Sequence, residues 1–471
     1  MIKLNNFFKK EKKIKETSLT KPDLHTHRKS PLEAFKAIKL ADDAISETDE
    51  MIKDFGPRCT GSDSCINCGS AIENKLKQFC DFTSTQSFNH KGLSHGLWIK
   101  LLPYVYLTTL LLLLFGFSII PLLVNISFIY YVYSVFIIYK PIFEKNIKDT
   151  KGKNIHGVIE PDGNVTQTII FSAHHDSAQL MNKNRGEKGY FTKVELPLLL
   201  YACSIILNLI EIFVEIFTGR LLKIGFPQLT SLLIIILLIC VFPIVIKLKY
   251  YYSDKASPGA GDNLISTNIL IQLAKYYDWA KKNNKGLKNT RIIFISFDAE
   301  EVGLRGSKVW FEKHEALLKN PLQLNFDCIY NSDDLVFIDS DINGLVSLDK
   351  DMANKCVKLA NDMGYRATSH PLPFLSGATD AANGMINGVK AVTLMAVDLE
   401  KGLKNTYFHT EEDTVDKIEN KAVEKAISIA IKLSKVIDNN EFDDENIIQE
   451  KEDEPEEDLL EKIKFNKISR R

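Results

Sequence analysis

Apolar and polar positions divide the chain of 471 residues into two kinds of segment. Leu101 to Tyr139 runs for 39 residues without an Asp, Glu, Lys or Arg. A bilayer-spanning helix takes about 20 apolar residues, so this stretch predicts two spans in a tight hairpin. Gly116 to Pro121 is the expected break, and Pro103 is placed in a first helical turn, where proline is tolerated. Leu196 to Phe217 predicts a third span, and Ile224 to Ile246, 23 residues without a charge, a fourth. Core helices of globular domains are usually shorter and carry a polar stripe.

The remaining segments show ordinary periodicities. Residues 31–54 and 70–81 repeat as helices, Asn263 to Lys282 as an amphipathic helix, and stretches near 302–316, 350–363 and 419–437 as further helices. Val165 to Ala173 and Arg291 to Phe297 read as strands entering a core, with shorter apolar strands at 335–338 and 390–397. Alternation of this kind predicts an α/β fold, a mostly parallel mixed sheet with helices on both faces, carrying four inserted transmembrane helices.

Charge sharpens the picture. Lys+Arg 59 against Asp+Glu 60 leaves a net charge of −1, which offers nucleic acid no electrostatic footprint. Fourteen Lys and Arg flank the spans on the side of the soluble segments, from Lys91 and Lys100 to Lys247, Lys249 and Lys255, whereas the hairpin tips hold only Arg220 and Lys223. The lysine and arginine bias therefore predicts a multi-pass membrane protein whose soluble parts face the cytoplasm. The start, MIKLNNFFKKEKKIKE, is basic without an apolar core, so no cleaved signal peptide is expected and a solvated tail is. Glu441 to Glu461 carries twelve acids and one Lys, an acidic, disordered tail. Eight cysteines suit a reducing compartment, and Cys65 and Cys68, without a second such pair, read as incidental thiols. Glu211 and Glu215, one turn apart near the tip of the third span, are read as structural or interfacial.

Polar residues concentrate where the predicted strands end, which is where α/β sheets collect their sites. His174, His175 and Asp176 follow the first strand, and Asp298, Ala299, Glu300 and Glu301 follow the second. Asp262 lies in the turn PGAGDN before a helix, Asp327 ends LQLNFD, and His409 occupies YFHTEEDT. Imidazole with carboxylate suits zinc or a similar divalent ion. Adjacent acids after a strand diverge, so one can hold a metal while the other faces a water.

With these fragments in order, the chain resembles the zinc aminopeptidases of metallopeptidase family 28, a family that also holds glutamate carboxypeptidases and glutaminyl cyclases. The resemblance rests on HHDS at 174–177, PGAGDN at 258–263 and above all DAEEVGLRGS at 298–307. It continues through NFD at 325–327, GATDAA at 377–382 and FHTEEDT at 408–414, with PRCTGS at 57–62 like an opening motif. It implies two zinc ions, or other divalent metals, bridged by Asp262, with His174 and Asp327 completing one set and Glu301 and His409 the other. Glu300 would be the general base, and Asp176 would orient His174. The implied activity is removal of N-terminal residues from peptides. A carboxypeptidase or cyclase relative and a non-catalytic membrane scaffold are the alternatives. The organisation follows: a basic segment and helix at 1–44, peptidase parts at 45–97, 141–193 and 250–438, hairpins at 98–140 and 194–249, and the acidic tail at 439–471.

The chain departs from the family pattern in places. Asn263 to Thr267 (NLIST) replaces a small-residue run, Tyr330 replaces a glycine and is expected to narrow the pocket, and His175 is not expected to be a ligand. Asp380 is either a supporting acid or structural. The third span begins 20 residues after Asp176 and Asp262 follows the fourth by 16. Extended tethers of that length keep the site within roughly 55 Å of a bilayer. That proximity makes membrane-proximal peptides the candidate substrates, with a plain anchor as the simpler reading.

Overall fold

The computed structural model describes residues 31–91, 97–140, 142, 149–182, 189, 191–219, 229–374, 376–399 and 407–442. The chain opens with α1 (Pro31–Phe55), α2 (Asp63–Leu76) and β1 (Phe82–Lys91), then enters a first apolar hairpin, α3 (Leu97–Leu114) and α4 (Ile119–Val132). Strands β2 (Asp149–Ile159), β3 (Gln167–His174) and β4 (Gln179–Met181) precede the second hairpin, α5 (Leu196–Thr218) and α6 (Leu229–Val245). After β5 (Tyr252–Ala256) come α7 (Ile265–Lys282), β6 (Thr290–Phe297), α8 (Arg305–His314), β7 (Pro321–Ile329) and β8 (Leu335–Asp341). The chain continues through β9 (Val346–Ser347), α9 (Lys350–Asp362), β10 (Ala367–Pro371), α10 (Ala381–Ile386), β11 (Lys390–Ala396) and α11 (Asn420–Asp438).

Nine strands form one sheet in the order β1-β2-β6-β3-β7-β11-β8-β10, with β9 on β8. The middle four, β6, β3, β7 and β11, are mutually parallel, while β2 and β8 join them antiparallel from either side. These central strands read as continuous apolar runs because both faces are covered. Ile169, Phe171, Ile292 and Phe294 point into the layer of α1, α2, α7, α9 and α11. Ile170, Ile293, Ile295 and Phe297 point the other way, onto Trp310 and Phe311 of α8. The period-2 alternation of the pleat sorts one uninterrupted apolar run into two cores.

The predicted helices and strands of this unit are present with shifted ends. The helix expected at 70–81 is α2, begun earlier because Ser62 caps it by accepting the Cys65 N–H. The antiparallel pair β1 and β2 escaped the periodicity reading. β1 is FTSTQSFNHK, a polar edge strand with little apolar signal.

Among the described residues, four helices are long and apolar enough to cross a membrane: Leu97–Leu114, Ile119–Ile137, Phe191–Thr218 and Leu232–Tyr250. The break of the first hairpin falls at Gly116, whose φ is +78°. Pro103 lies inside α3 and not in its first turn, because the helix already starts at Leu97. Residues 220–228, including Arg220 and Lys223, lie outside the described residues, as do the N-terminal segment and the acidic tail from residue 443. Outward faces carry exposed Leu111, Leu123, Ile126, Phe213, Leu233 and Ile236. The inward face of α5 is polar, with Tyr201, Ser204, Asn208, Glu211 and Glu215 all buried. Glu215, read as structural or interfacial, is turned into the bundle. The base of the second hairpin is closed by the two-stranded ribbon of β4 and β5.

Candidate metal centre

The central parallel strands deliver their polar residues to one place. His174 is the last residue of β3, Glu300 and Glu301 follow β6, and Asp327 lies near the end of β7. Asp262 comes from the turn before α7 and His409 from the loop before α11. The glycines of PGAGDN serve close approach. Gly259 has a φ of +64°, and a Cβ on Gly261 would lie 2.0 Å from the Tyr330 ring. Tyr330 is thus packed beneath the ligand turn and does not narrow the cavity, because Gly261 leaves its ring room there.

All five expected ligands, with Glu300 and Asp176, converge. His174 Nε2 lies 3.3 Å from Asp262 Oδ1, 3.9 Å from Glu300 Oε2 and 3.9 Å from Asp327 Oδ1. His409 Nε2 lies 3.1 Å from Asp262 Oδ2 and 3.1 Å from Glu301 Oε2. Asp262 thus turns one oxygen toward each imidazole. The donors divide into two triads sharing it, His174/Asp262/Asp327 and Asp262/Glu301/His409, with the ligand atoms of each within 4.8 Å of one another.

Electrostatics marks this as a place for cations. Burial pushes Asp327 up to about 8 and lifts Glu300 and Glu301 above the usual glutamate range, with the neighbouring acids adding to the rise. Burial would lower the imidazoles, but the surrounding acids outweigh it: His174 is held well above its ordinary value and His409 is raised to about 10. Asp262 is held below the carboxylate range despite burial, by its hydrogen bonds to His174 and His409. Protons here occupy the electrostatic position that divalent cations would take. Glu301 Oε1 and His409 Nδ1 are buried without a hydrogen-bond partner among the described residues. Among the described residues, no lysine or arginine lines the cavity.

Other residues brace the centre. The Glu300 N–H donates to Asp176 Oδ1 and the Glu301 N–H to Asp176 Oδ2, each at 3.2 Å, while His174 Nδ1 is 3.4 Å from Asp176 Oδ1. One buried carboxylate therefore aims an imidazole and two neighbouring acids. Arg58, fully buried, donates to the carbonyls of His175, Pro258 and Gly259. It pins PRCTGS and PGAGDN against β3. Ala299, Cys328 and His409 have φ of +63°, +51° and +58°, left-handed conformations beside or at the expected ligands.

Asp413 had no role assigned from sequence. It accepts the N–H of Gly261 at 2.8 Å and of Asp262 at 3.3 Å, so it orients the shared acid. In Glu411-Glu412-Asp413 the first two are exposed and only the third is buried, a distinction that three consecutive acids do not announce. Asp380 is buried nearby, and burial raises it to about 7. Behind the centre, Cys65 Sγ donates to Asp298 Oδ1 at 3.4 Å and His175 Nδ1 meets Ser296 Oγ at 2.9 Å.

The triads open into a cavity of about 320 Å³. Its opposite wall comes from the apolar hairpins, including Trp98, Ile99, Phe136, Tyr139, Val194 and Leu198. Nothing in the residue order announces this wall, since these residues read as span ends.

Residues 248–434 match the model of peptidase family M28. The curated Aminopeptidase YwaD of Bacillus subtilis (strain 168) is 25% identical over 191 residues, which is 39% of this chain and 38% of that protein. The alignment thus spans well under half of the relative's length. Among solved structures, BSAP, a zinc aminopeptidase from Bacillus subtilis, is 13% identical with a TM-score of 0.48, covering 86% of this chain and 95% of that one. LapA aminopeptidase of Legionella pneumophila is 16% identical with a TM-score of 0.47, covering 88% and 77%. A glutaminyl cyclase from Bacteroides thetaiotaomicron is 14% identical with a TM-score of 0.46, covering 85% and 96%. Likenesses this distant say nothing of chemistry. The segment that matches peptidase family M28, residues 248–434, is the one that carries PGAGDN, DAEEVGLRGS, NFD, GATDAA and FHTEEDT.

Proposed function

We propose that this protein is a membrane-anchored, zinc-dependent aminopeptidase that removes N-terminal residues from peptides. The observation that carries this reading is Asp262, one oxygen toward His174 and the other toward His409, dividing the donors into two complete triads. His174, Asp262 and Asp327 would hold one ion, and Asp262, Glu301 and His409 the other. Imidazole with carboxylate is a donor set that zinc favours, though other divalent ions fit it. Divalent ions bound there supply Lewis acidity toward a peptide carbonyl and acidify water.

The chain's own residues do the rest. Glu300 takes the proton of the attacking water as its oxygen joins the carbonyl carbon. It returns that proton to the amine nitrogen as the C–N bond breaks. Asp176 holds the backbone of Glu300 and Glu301 in place during the exchange. A carboxypeptidase needs a cation for the substrate's free carboxylate, and the described cavity wall has neither Lys nor Arg. That absence favours the aminopeptidase reading over the carboxypeptidase one. Four long apolar helices support anchoring in a bilayer, and the lysine and arginine bias supports a cytoplasmic centre.

The test uses full-length protein purified in detergent. Elemental analysis should find two zinc ions per chain after equilibration, and Glu300→Gln should keep them while losing at least ~10²-fold in kcat on aminoacyl substrates. Absence of metal even with added zinc, or undiminished turnover by Glu300→Gln, overturns the reading.

A further inference from the structure

We infer that the substrate is the amino terminus of a polypeptide held in the same bilayer, received in a cavity that the membrane hairpins themselves complete. The inference rests on the aminopeptidase reading and adds a substrate class to it.

The near ends of the hairpins all reach the metal centre. Trp98 and Ile99 open α3, Phe136 and Tyr139 close the first hairpin, Leu198 lies in the first turn of α5, and Tyr252 follows α6. These six side chains line the same cavity as His174, Asp262, Glu300, Glu301, Asp327 and His409. The rings of Trp98 and Phe136 lie 5.2 Å apart and tie the two ends of the first hairpin into one wall.

This wall is docked and not merely tethered. Asn343 Nδ2 donates to the carbonyl of Ile137 at 3.1 Å, and Lys100 pairs with Asp254 at 3.1 Å. In the ribbon at the base of the second hairpin, the Asn182 N–H donates to the Tyr251 carbonyl at 2.6 Å. One residue earlier, the Met181 N–H donates to the carbonyl of His409 at 2.7 Å. The hairpin base is thus two hydrogen bonds from an expected metal ligand. A passive anchor requires none of these contacts, and extended tethers would have allowed a separation of roughly 55 Å.

Trp and Tyr at span ends sit at the level of the lipid headgroups. A cavity walled by such residues lies at that level too. A soluble peptide must enter the headgroup zone to reach it. A chain anchored in the same bilayer is already there, confined to the layer from which the cavity opens. The volume of about 320 Å³ is at the low end for ligand pockets, enough for a terminal residue or two and their apolar side chains.

The experiment compares two substrates for full-length protein in liposomes: a free apolar peptide, and the same peptide joined by a short linker to a single transmembrane helix. The tethered form should turn over at least ~10-fold faster at equal bulk concentration, and the advantage should vanish in excess detergent, which dilutes the shared bilayer. Trp98→Ala should raise KM for both peptides with kcat and bound zinc little changed, and Trp98→Phe should restore it. Equal rates for the two forms in liposomes, or cleavage of the free peptide alone, overturns the inference while leaving the aminopeptidase reading intact. If zinc-loaded protein cleaves neither form in liposomes or detergent, with Glu300→Gln as the blank, the aminopeptidase reading itself fails and this inference falls with it.

Discussion

Two regions of this molecule bury polar side chains, and they do so in opposite ways. Inside the hairpins, Asn125 Nδ2 donates to Thr109 Oγ1 at 2.9 Å and to the Pro121 carbonyl at 2.8 Å, and Tyr201 Oη donates to Asn125 Oδ1 at 2.7 Å. Asn208 Nδ2 donates to the Ser118 carbonyl and Tyr106 Oη to the Leu238 carbonyl. Each of these donors meets an acceptor, so the network holds helices together, although Asn208 Oδ1 is itself buried without a donor among the described residues. At the candidate metal centre, carboxylates face one another across two imidazoles, with Glu301 Oε1 lacking any partner among the described residues. Like charges gathered at a cost to folding mark a place where a ligand completes the structure. Burial alone does not distinguish function from scaffold, whereas the convergence of acids on two imidazoles does.

The sharpest way to break this contrast is at its unsatisfied end. Asp262→Ala removes the acid shared by both triads, so bound zinc should fall toward none and activity by at least ~10²-fold, more than a merely supporting residue costs. Zinc at about 1,000 times its Kd should stabilise the parent by ~4 kcal/mol, and the variant should lose that increment in a thermal melt. Retention of both metals would return the centre to the same class as the hairpin network.

An intermediate case lies in the core under α8. His156 accepts from Trp310 Nε1 at 3.4 Å, and burial, aided by His314, holds it at about 3 against 6.5 when exposed. Burial holds His314 at about 4. The unfolded chain therefore takes up these protons first as pH falls. The stability they contribute is complete above pH ~6.5 and is lost between ~6.5 and ~3, by up to ~1.4 kcal/mol per pH unit for each histidine. His156→Phe should flatten that slope by one proton in denaturant titrations across the window. An unchanged slope would mean that His156 is not kept neutral by its surroundings.

The smallest effect belongs to the satisfied network. Asn125→Leu should cost only ~0.6 kcal/mol, and at most ~1.7, in unfolding from bicelles, with zinc content unchanged. Loss of zinc on this substitution would show that the two regions are energetically joined beyond their shared cavity.

Much of this was legible along the chain. The spans stood out because a charge-free run of 39 residues is longer than a globular core buries in one stretch. Four of the expected ligands, His174, Asp262, Glu301 and Asp327, stood out because each lies at or just after the end of an apolar strand or in a glycine turn, positions that a sheet gathers at one edge, while His409, in a loop, was picked out by the family resemblance of FHTEEDT. Asp413 and the edge strand β1 did not, for a common reason. Their local composition is that of a solvated surface, and only contacts with residues distant in sequence bury them.

Residue order alone therefore settled the α/β class, the four apolar helices and which acids and imidazoles to gather, since period, charge and turn chemistry are local properties. Tertiary structure decided how Asp262 is shared, which of three consecutive acids is buried, and that the hairpin ends close the cavity. Those outcomes depend on distances of a few ångströms between segments as far apart in the chain as Trp98 and His409, and no local pattern encodes such a distance.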